Sequence, residues 1–159
     1  MNKPDYDGLL LSRIQGNIFE SSLNEECSSP VFIRRFMNSD VAYRMDKGYF
    51  LCTAQSKLQV LDEIDEQYGK SAYGKDKYSD EEMYWIGYIY RYWAEMYKMR
   101  SDVIYHICNG REMKNYYDIY HSLDPAKAIE RIMEAKNYIP CVTKEDKNNK
   151  LKKLIEMSI

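Results

Sequence analysis

The strongest constraint on the fold is a helix-start signature at Ser79, followed by an aromatic-rich run. Residues 79–82 read SDEE, which is a capping-box pattern. In it the serine hydroxyl accepts a hydrogen bond from the amide of Glu82, while the Glu82 carboxylate reaches back to the amide of Ser79. Three acidic side chains in the first turn also suit the positive end of the helix dipole. The segment from Asp80 to about Met99 is therefore predicted to be a helix.

The aromatic run, YWIGYIYRYW at residues 84–93, contains six aromatic side chains and one arginine. Rings beside an arginine can bind a partner, but at about 100° per residue these side chains cover more than half of the circumference, which is typical of a central helix. The remaining strip holds Gly87, Arg91, Ala94, Glu95 and Lys98. Its small residues would let another backbone approach closely. We interpret Arg91 as a partner of Glu95, four residues away, on a narrow polar strip.

Apolar residues at helical spacing, together with capping residues, predict the other helices. They fall at residues 9–23, 29–37, 39–46, 55–68, 101–108, 111–117 and 124–136. Few glycines and prolines, and many lysines, glutamates and methionines, also favour helices over sheets. GYFLCTA, residues 48–54, is the only short stretch with the composition of a strand, and residues 69–78 read as a loop.

We therefore predict an all-α fold: a single irregular domain of about seven helices around the central aromatic-rich helix. A chain of 159 residues can bury a core without a metal or a disulfide. We assign residues 1–137 to this helical domain. Residues 138–159 are rich in lysine and are predicted to form a basic, partly flexible C-terminal tail.

Charge and the N-terminal sequence narrow the class of protein. The net charge is −2, whereas proteins dedicated to nucleic acids usually carry a basic excess. This argues against nucleic-acid binding but leaves a local basic face open. The N-terminus lacks the apolar core of a signal peptide, and no apolar run approaches the roughly 18 residues of a membrane span. We expect a cytoplasmic protein without membrane contact.

No catalytic or metal-binding pattern stands out. The sequence lacks the nucleophile-elbow, phosphate-loop, dinucleotide and zinc-protease motifs. Cys27, Cys52, Cys108 and Cys141 are too irregularly spaced for a zinc site, and we interpret them as free buried thiols. Because His106 and Cys108 lie two residues apart on a helix, they point to different faces and cannot pair locally. We expect no enzyme activity, no catalytic residue, no cofactor and no metal.

An acidic stretch is the first candidate for contact with a partner. Residues 61–82 hold eight acidic side chains against three lysines. The first four acidic side chains on the predicted helix are Asp62, Glu63, Asp65 and Glu66. On a helix they cannot wrap around a cation as a loop does. They form either a solvated face or an acidic patch that meets a basic partner.

A tyrosine-rich stretch is the second candidate. Residues 116–125 read YYDIYHSLDP and are predicted to be irregular, just ahead of a strong helix start at Asp124. Irregular segments rich in tyrosine and histidine often carry binding roles. Tyr117, Tyr120 and His121 therefore either contact a partner or pack beneath the loop.

Residues 101–119 favour an alternative function. They read as a helix, an Asn-Gly turn and a second helix, similar to a helix-turn-helix. On this interpretation the protein is a DNA-binding transcriptional regulator. The helices are short and the second is only mildly basic, which makes this the weaker hypothesis.

Four stretches together carry a family resemblance. They are SSPVFIRRFMNSDVAYRMD at 28–46, DEIDEQYGKSAYGKDKYS at 62–79, YWIGYIYRYW at 84–93 and YHSLDPAKAIERIMEAK at 120–136. As a set they resemble a family of small bacterial proteins, common in Firmicutes, that are labelled antitoxins. The resemblance covers residues 9–137, and none of its motifs encodes chemistry.

The resemblance implies a cytoplasmic antitoxin that binds and neutralises a toxin by direct contact. The cognate toxin would be encoded nearby and would resemble ADP-ribosyltransferases. The resemblance supplies no catalytic residues. A homo-oligomer stays open, as does an enzyme of unrecognised type, which only the content of tyrosine, histidine and cysteine suggests.

Overall fold

The computed structural model describes residues 3–140 and, near the C-terminus, residues 152, 155 and 156. Within these residues there are eight α-helices, two short 3-10 helices and no β-strand, so the predicted all-α class is confirmed. The α-helices are α1 (Tyr6–Ser21), α2 (Ser29–Met37), α3 (Asp40–Asp46), α4 (Lys57–Tyr68), α5 (Asp80–Tyr97), α6 (Ser101–Ile107), α7 (Gly110–Tyr120) and α8 (Pro125–Ala135). The predicted tail, residues 138–159, lies mostly outside the described residues.

Helix α5 is the central helix, as its aromatic pattern predicts. Its start carries the predicted capping box: the Ser79 hydroxyl accepts from the Glu82 amide at 3.1 Å, and the Glu82 carboxylate accepts from the Ser79 amide at 2.9 Å. Tyr90 and Trp93 have no exposed surface. The helix ends where Lys98 adopts a left-handed conformation with φ 53°. Helices α1, α6, α7 and α8 all pack against it.

Helix α1 lies along the strip of small residues on α5. A Cβ atom added to Gly87 would lie only 2.7 Å from the backbone oxygen of Gln15, so only glycine allows this approach. Gln15 uses the proximity to donate a hydrogen bond from Nε2 to the Gly87 carbonyl at 3.0 Å. The predicted close approach of another backbone is confirmed.

The interpretation of Arg91 as part of a polar strip is wrong in one respect. Arg91 does lie 3.7 Å from Glu95, as predicted, but its side chain has no exposed surface. Gly87 and Ala94 on the same strip are buried as well. Helical phase places these residues together, whereas their burial results from tertiary packing. The α1 backbone approaches Gly87, and side chains of α1, α3 and α6 surround Arg91.

Buried Arg91 is the centre of a polar network that joins four helices. Its guanidinium donates to Asp46 of α3 at 2.8 Å, to Gln15 of α1 at 2.9 Å and to Ser101 of α6 at 3.0 Å. Asp46 in turn accepts from both the amide and the hydroxyl of Ser101, at 2.8 and 2.7 Å. Asp46 thereby takes the place of a capping side chain for α6, because the N-cap residue Arg100 makes no side-chain cap bond.

A cluster of aromatic rings fills the interface between α1, α2 and α5. Phe19 makes edge-to-face contacts with Phe32 and Phe36, at ring distances of 5.4 and 4.9 Å, and with Tyr90 at 6.5 Å. The Tyr90 hydroxyl donates to the carbonyl of Cys108 at 2.6 Å. The central helix therefore combines apolar packing with a satisfied tyrosine hydroxyl, as expected for a buried tyrosine.

The strand candidate at residues 48–54 is wrong. These residues form the 3-10 helix Phe50–Thr53, which ends at Ala54 with a left-handed φ of 48°. Phe50 is buried while Tyr49 is 62% exposed, so a single ring anchors the segment. An isolated strand has no neighbour with which to share backbone hydrogen bonds, and no other described segment supplies one.

The long loop at residues 69–78 is held against the start of α2. The amides of Ser28 and Ser29 donate to the carbonyls of Tyr73 and Asp76, at 3.0 and 2.8 Å. The Tyr78 amide donates to the Ser29 hydroxyl at 3.0 Å. These bonds position the loop immediately before Ser79 and so fix where α5 begins.

We predict that Arg91→Met destabilises the protein by about 3–5 kcal/mol, because it leaves Asp46 as a buried charge without its cationic partner. Chemical denaturation followed by circular dichroism measures the change. Arg131→Met is the matched control, since Arg131 forms an exposed pair with Glu134 and such pairs contribute at most about 1 kcal/mol. Equal effects of the two substitutions would contradict the assigned role of Arg91.

We predict that Tyr90→Phe costs about 1–3 kcal/mol near pH 8, because the buried Cys108 carbonyl loses its donor. Burial raises the pKa of Tyr90 well above its ordinary value. The unfolded chain therefore loses this proton first, and stability that is intact below about pH 10 is lost as the pH rises further.

Tyr90→Phe should accordingly lose less stability than the unaltered protein between about pH 9 and pH 11. Unfolding free energies measured across that range provide the test. Tyr6→Phe is the control, since the Tyr6 ring is 77% exposed. Parallel losses in the unaltered protein and in Tyr90→Phe would show that this hydroxyl does not govern the alkaline response.

Candidate functional site

One groove on the surface combines aromatic side chains with carboxylates, and we call it the aromatic–carboxylate groove. It is lined by Glu20, Asp80, Glu81, Tyr84, Trp85, Tyr117 and His121. It encloses about 320 Å³. That volume lies at the small end of the range of ligand pockets.

Three helices build the groove. The first two turns of α5 supply four of its residues, the last turn of α1 supplies Glu20, and the end of α7 supplies Tyr117 and His121. Gly16 of α1 makes room for the Tyr84 ring, since an added Cβ would lie 2.8 Å from it. The positions of the walls therefore depend on the same α1–α5 packing that buries Arg91.

The aromatic walls are ordered by contacts among themselves. Trp85 and Tyr117 meet edge to face, with ring centroids 5.7 Å apart and planes at 79°. His121 stacks on Tyr117 at 4.4 Å with nearly parallel planes. The His121 Nδ1 atom is 2.7 Å from the Tyr117 carbonyl. Because a carbonyl oxygen can only accept, this bond requires the hydrogen to be on Nδ1.

The groove carries uncompensated negative charge. Glu20, Asp80 and Glu81 form no ion pair with any residue that the structure describes. Glu82, the next residue, differs because it closes the capping box and lies 3.7 Å from Lys114. Burial, followed by the charges of Glu81 and Glu82 and a hydrogen bond to the Glu81 carboxylate, raises the pKa of the Tyr117 hydroxyl.

The predicted tyrosine-rich candidates are only partly brought together. Tyr117 and His121 line the groove, whereas Tyr120 stacks on Tyr116 at 5.6 Å and packs against the core. The prediction that residues 116–125 are irregular is wrong for its first half, because α7 continues to Tyr120. Stacking at four-residue spacing extends this helix beyond the end expected from its apolar pattern.

The four predicted acidic residues on α4 do not form one free patch. Glu63 is paired with Arg44 at 2.8 Å and accepts from Gln55 at 3.1 Å. Asp65 lines a separate hollow that also contains Glu25 and Lys70. Burial, followed by Asp65, raises the pKa of the Glu25 carboxyl.

The other two predicted acids, Asp62 and Glu66, stay exposed on α4. They line a hollow that also contains Glu63 and its partner Arg44, but no aromatic side chain. Because Arg44 compensates part of its charge and no ring lines it, this hollow is a weaker candidate contact than the aromatic–carboxylate groove.

The predicted helix-turn-helix segment does contain two helices, α6 and α7, separated by Cys108 and Asn109. Asn109 caps α7 in a capping box with Glu112. Beside α7 lies a hollow that we call the basic hollow. It is lined by Lys75, Asp76, Lys77, Tyr78, Arg111, Lys114 and Asn115.

Two of the three described cysteines are buried as free thiols. Cys27 and Cys108 are buried free thiols, but Cys52 is exposed, contrary to the expectation for it; Cys141 lies outside the described residues. Burial raises the pKa of Cys108 to about 12.

In the described part of the chain, no three side chains of histidine, cysteine or acid type are grouped to hold a metal. No described helix has the length and apolar character needed to cross a membrane.

Sequence reasoning included Asp80 and Glu81 only as part of the acidic stretch 61–82, missed Glu20 and Tyr84, and assigned Trp85 to the core. A local signal for part of the groove was present: Asp80 and Glu81 each precede an aromatic residue by four positions, which places acid and ring on one helix face. Glu20 could not be found this way, because it comes from another helix. Comparisons with protein-family models, curated proteins and solved structures found no significant match to this chain.

Proposed function

We propose that this protein is an antitoxin-type protein of the cytoplasm that binds and neutralises a partner toxin by direct contact through the aromatic–carboxylate groove. The observation that carries the proposal is the joint presence, at one concave place, of partly exposed Trp85 and Tyr117 and of carboxylates that form no ion pair with a described residue. Tryptophan and tyrosine are enriched among the residues that dominate protein–protein binding energy. The resemblance to bacterial antitoxins supports the same role, and such a role needs no catalytic residue.

The chemistry of the groove favours a protein partner over a nucleic acid. Three carboxylates at the rim repel phosphate groups, whose neutralisation drives nucleic-acid binding. The groove is also too small to hold more than part of a partner. Its walls would act as an anchor point at the centre of a larger contact surface, where buried aromatic side chains contribute most.

We predict that co-expression of this protein rescues cells from the product of the neighbouring gene and that Trp85→Ala abolishes the rescue. Loss of a central aromatic contact typically weakens binding by about 2 kcal/mol or more. Growth on induction is the measurement. A neighbouring product that is harmless alone, or that stays toxic beside this protein, would contradict the proposal.

Tyr73→Ala is the matched control for Trp85→Ala. Tyr73 is 76% exposed and lies in the long loop, and its backbone carbonyl, not its side chain, holds that loop. We expect this variant to rescue fully. Circular dichroism of both variants establishes that they are folded, so that a lost rescue reports on contact and not on stability.

A DNA-binding regulator is the second candidate, and the basic hollow is the observation that favours it. Arg111 and Lys114 lie on the first turns of α7, which is the part of a recognition helix that contacts base edges. The positive charges of both side chains are already partly compensated, that of Arg111 by Asp76 at 3.2 Å and that of Lys114 by Glu82 at 3.7 Å. This candidate therefore offers fewer free cations than its residue count suggests.

The DNA candidate predicts a gel shift of the protein's own promoter that weakens steeply with salt. Arg111→Ala should weaken the shift, because each lost phosphate contact reduces both affinity and salt dependence. Arg131→Ala, which removes an exposed side chain of α8, is the control of equal charge and should bind as the unaltered protein does. No shift at low salt would eliminate this candidate.

A further inference from the structure

We infer that the aromatic–carboxylate groove receives one arginine side chain from the partner protein. This inference rests on the proposed function, because it names the chemistry by which that partner is recognised. It depends on three properties of the groove: its charge, the geometry of its rings and its size.

The negative charge of the groove favours binding of a cation. Its three carboxylates come from two helices, with Glu20 on α1 and Asp80 and Glu81 on α5. Negative side chains near the start of α5 are favourable toward the helix dipole, but that interaction does not use up the capacity of their oxygens to accept hydrogen bonds. Glu20 lies near the end of α1, where the dipole is unfavourable to an acid. The dipole of α1 therefore does not explain why an acidic residue lies at this position.

The ring geometry suits a guanidinium group. Trp85 and Tyr117 meet edge to face, at 79°, and both line the groove, although His121 covers one face of Tyr117. Tyr84 adds a third ring, stacked on Tyr88 at 6.0 Å. A planar guanidinium can stack on one ring while its edge donates two parallel hydrogen bonds to a carboxylate. Lysine lacks this planar face and is more strongly hydrated.

The size of the groove suits the end of one side chain. Its volume of about 320 Å³ lies at the small end of the range of ligand pockets, and the end of one long side chain fits within it. The groove also contains apolar ring surface against which the methylene stem of arginine can pack.

The two tryptophans of the chain supply the test. Trp85 lines the groove and Trp93 is fully buried in the core, so their indole N–H signals in a proton–nitrogen correlation spectrum form a reporter and an internal reference. The probe is the peptide acetyl-Gly-Arg-Gly-amide, titrated to about 10 mM, which is roughly tenfold above a millimolar Kd. We expect the Trp85 signal to move saturably and the Trp93 signal to stay in place.

Two controls separate charge from shape. The same peptide with citrulline, the neutral analogue of arginine, should bind at least about tenfold more weakly, because it loses the charge-assisted hydrogen bonds. Glu20→Gln combined with Asp80→Asn should weaken arginine binding to a similar extent. Asp62→Asn with Glu66→Gln removes the same charge from the exposed face of α4 and should leave binding unchanged.

Equal binding of arginine and citrulline peptides, an unmoved Trp85 signal, or equal losses from the two double variants would overturn the inference. None of these measurements involves a toxin. If the arginine peptide does not bind but this protein rescues cells, only the arginine assignment is rejected. Binding of the peptide without any rescue in cells rejects the antitoxin role alone.

Discussion

Arg91 carries a full positive charge at a position without exposed surface, and a charge can be buried at tolerable cost only when partners surround it. Asp46, Gln15 and Ser101 provide those partners from three other helices. The positions of α1, α3 and α6 relative to α5 are consequently coupled, because moving any one of them leaves a buried polar group unsatisfied. An apolar core alone tolerates small shifts that this network does not.

The same coupling determines the shape of the candidate site. Helix α1 is held on the face of α5 by the contact at Gly87 and by Gln15, which bonds to both the Gly87 carbonyl and Arg91. That arrangement brings the end of α1, with Glu20, beside the first turns of α5. The central helix thus has two different roles along its length: its middle organises the core, and its start presents charge and aromatic surface to solvent.

The groove illustrates why exposed rings and carboxylates are informative when they occur together. Isolated exposed aromatic residues are common on protein surfaces, and acids at the start of a helix are explained by the dipole. Trp85, Tyr117 and Glu20 meet at one concave place although they come from three helices. The acids of α4 lack such a setting, since the hollow shared by Asp62, Glu63 and Glu66 contains no ring and Arg44 pairs with Glu63, while Asp65 faces a different hollow.

The sequence alone determined the all-α class, the start of α5 at its capping box and the central position of that helix. These features are encoded by interactions between residues three or four positions apart, which a linear pattern contains. Only the tertiary structure decided that Arg91 is buried and that Tyr117 and His121 join Glu20 in a groove. Asp46 and Gln15 lie 45 and 76 residues from Arg91 along the chain. Such pairs are selected by the packing of whole helices, so no local spacing can reveal them.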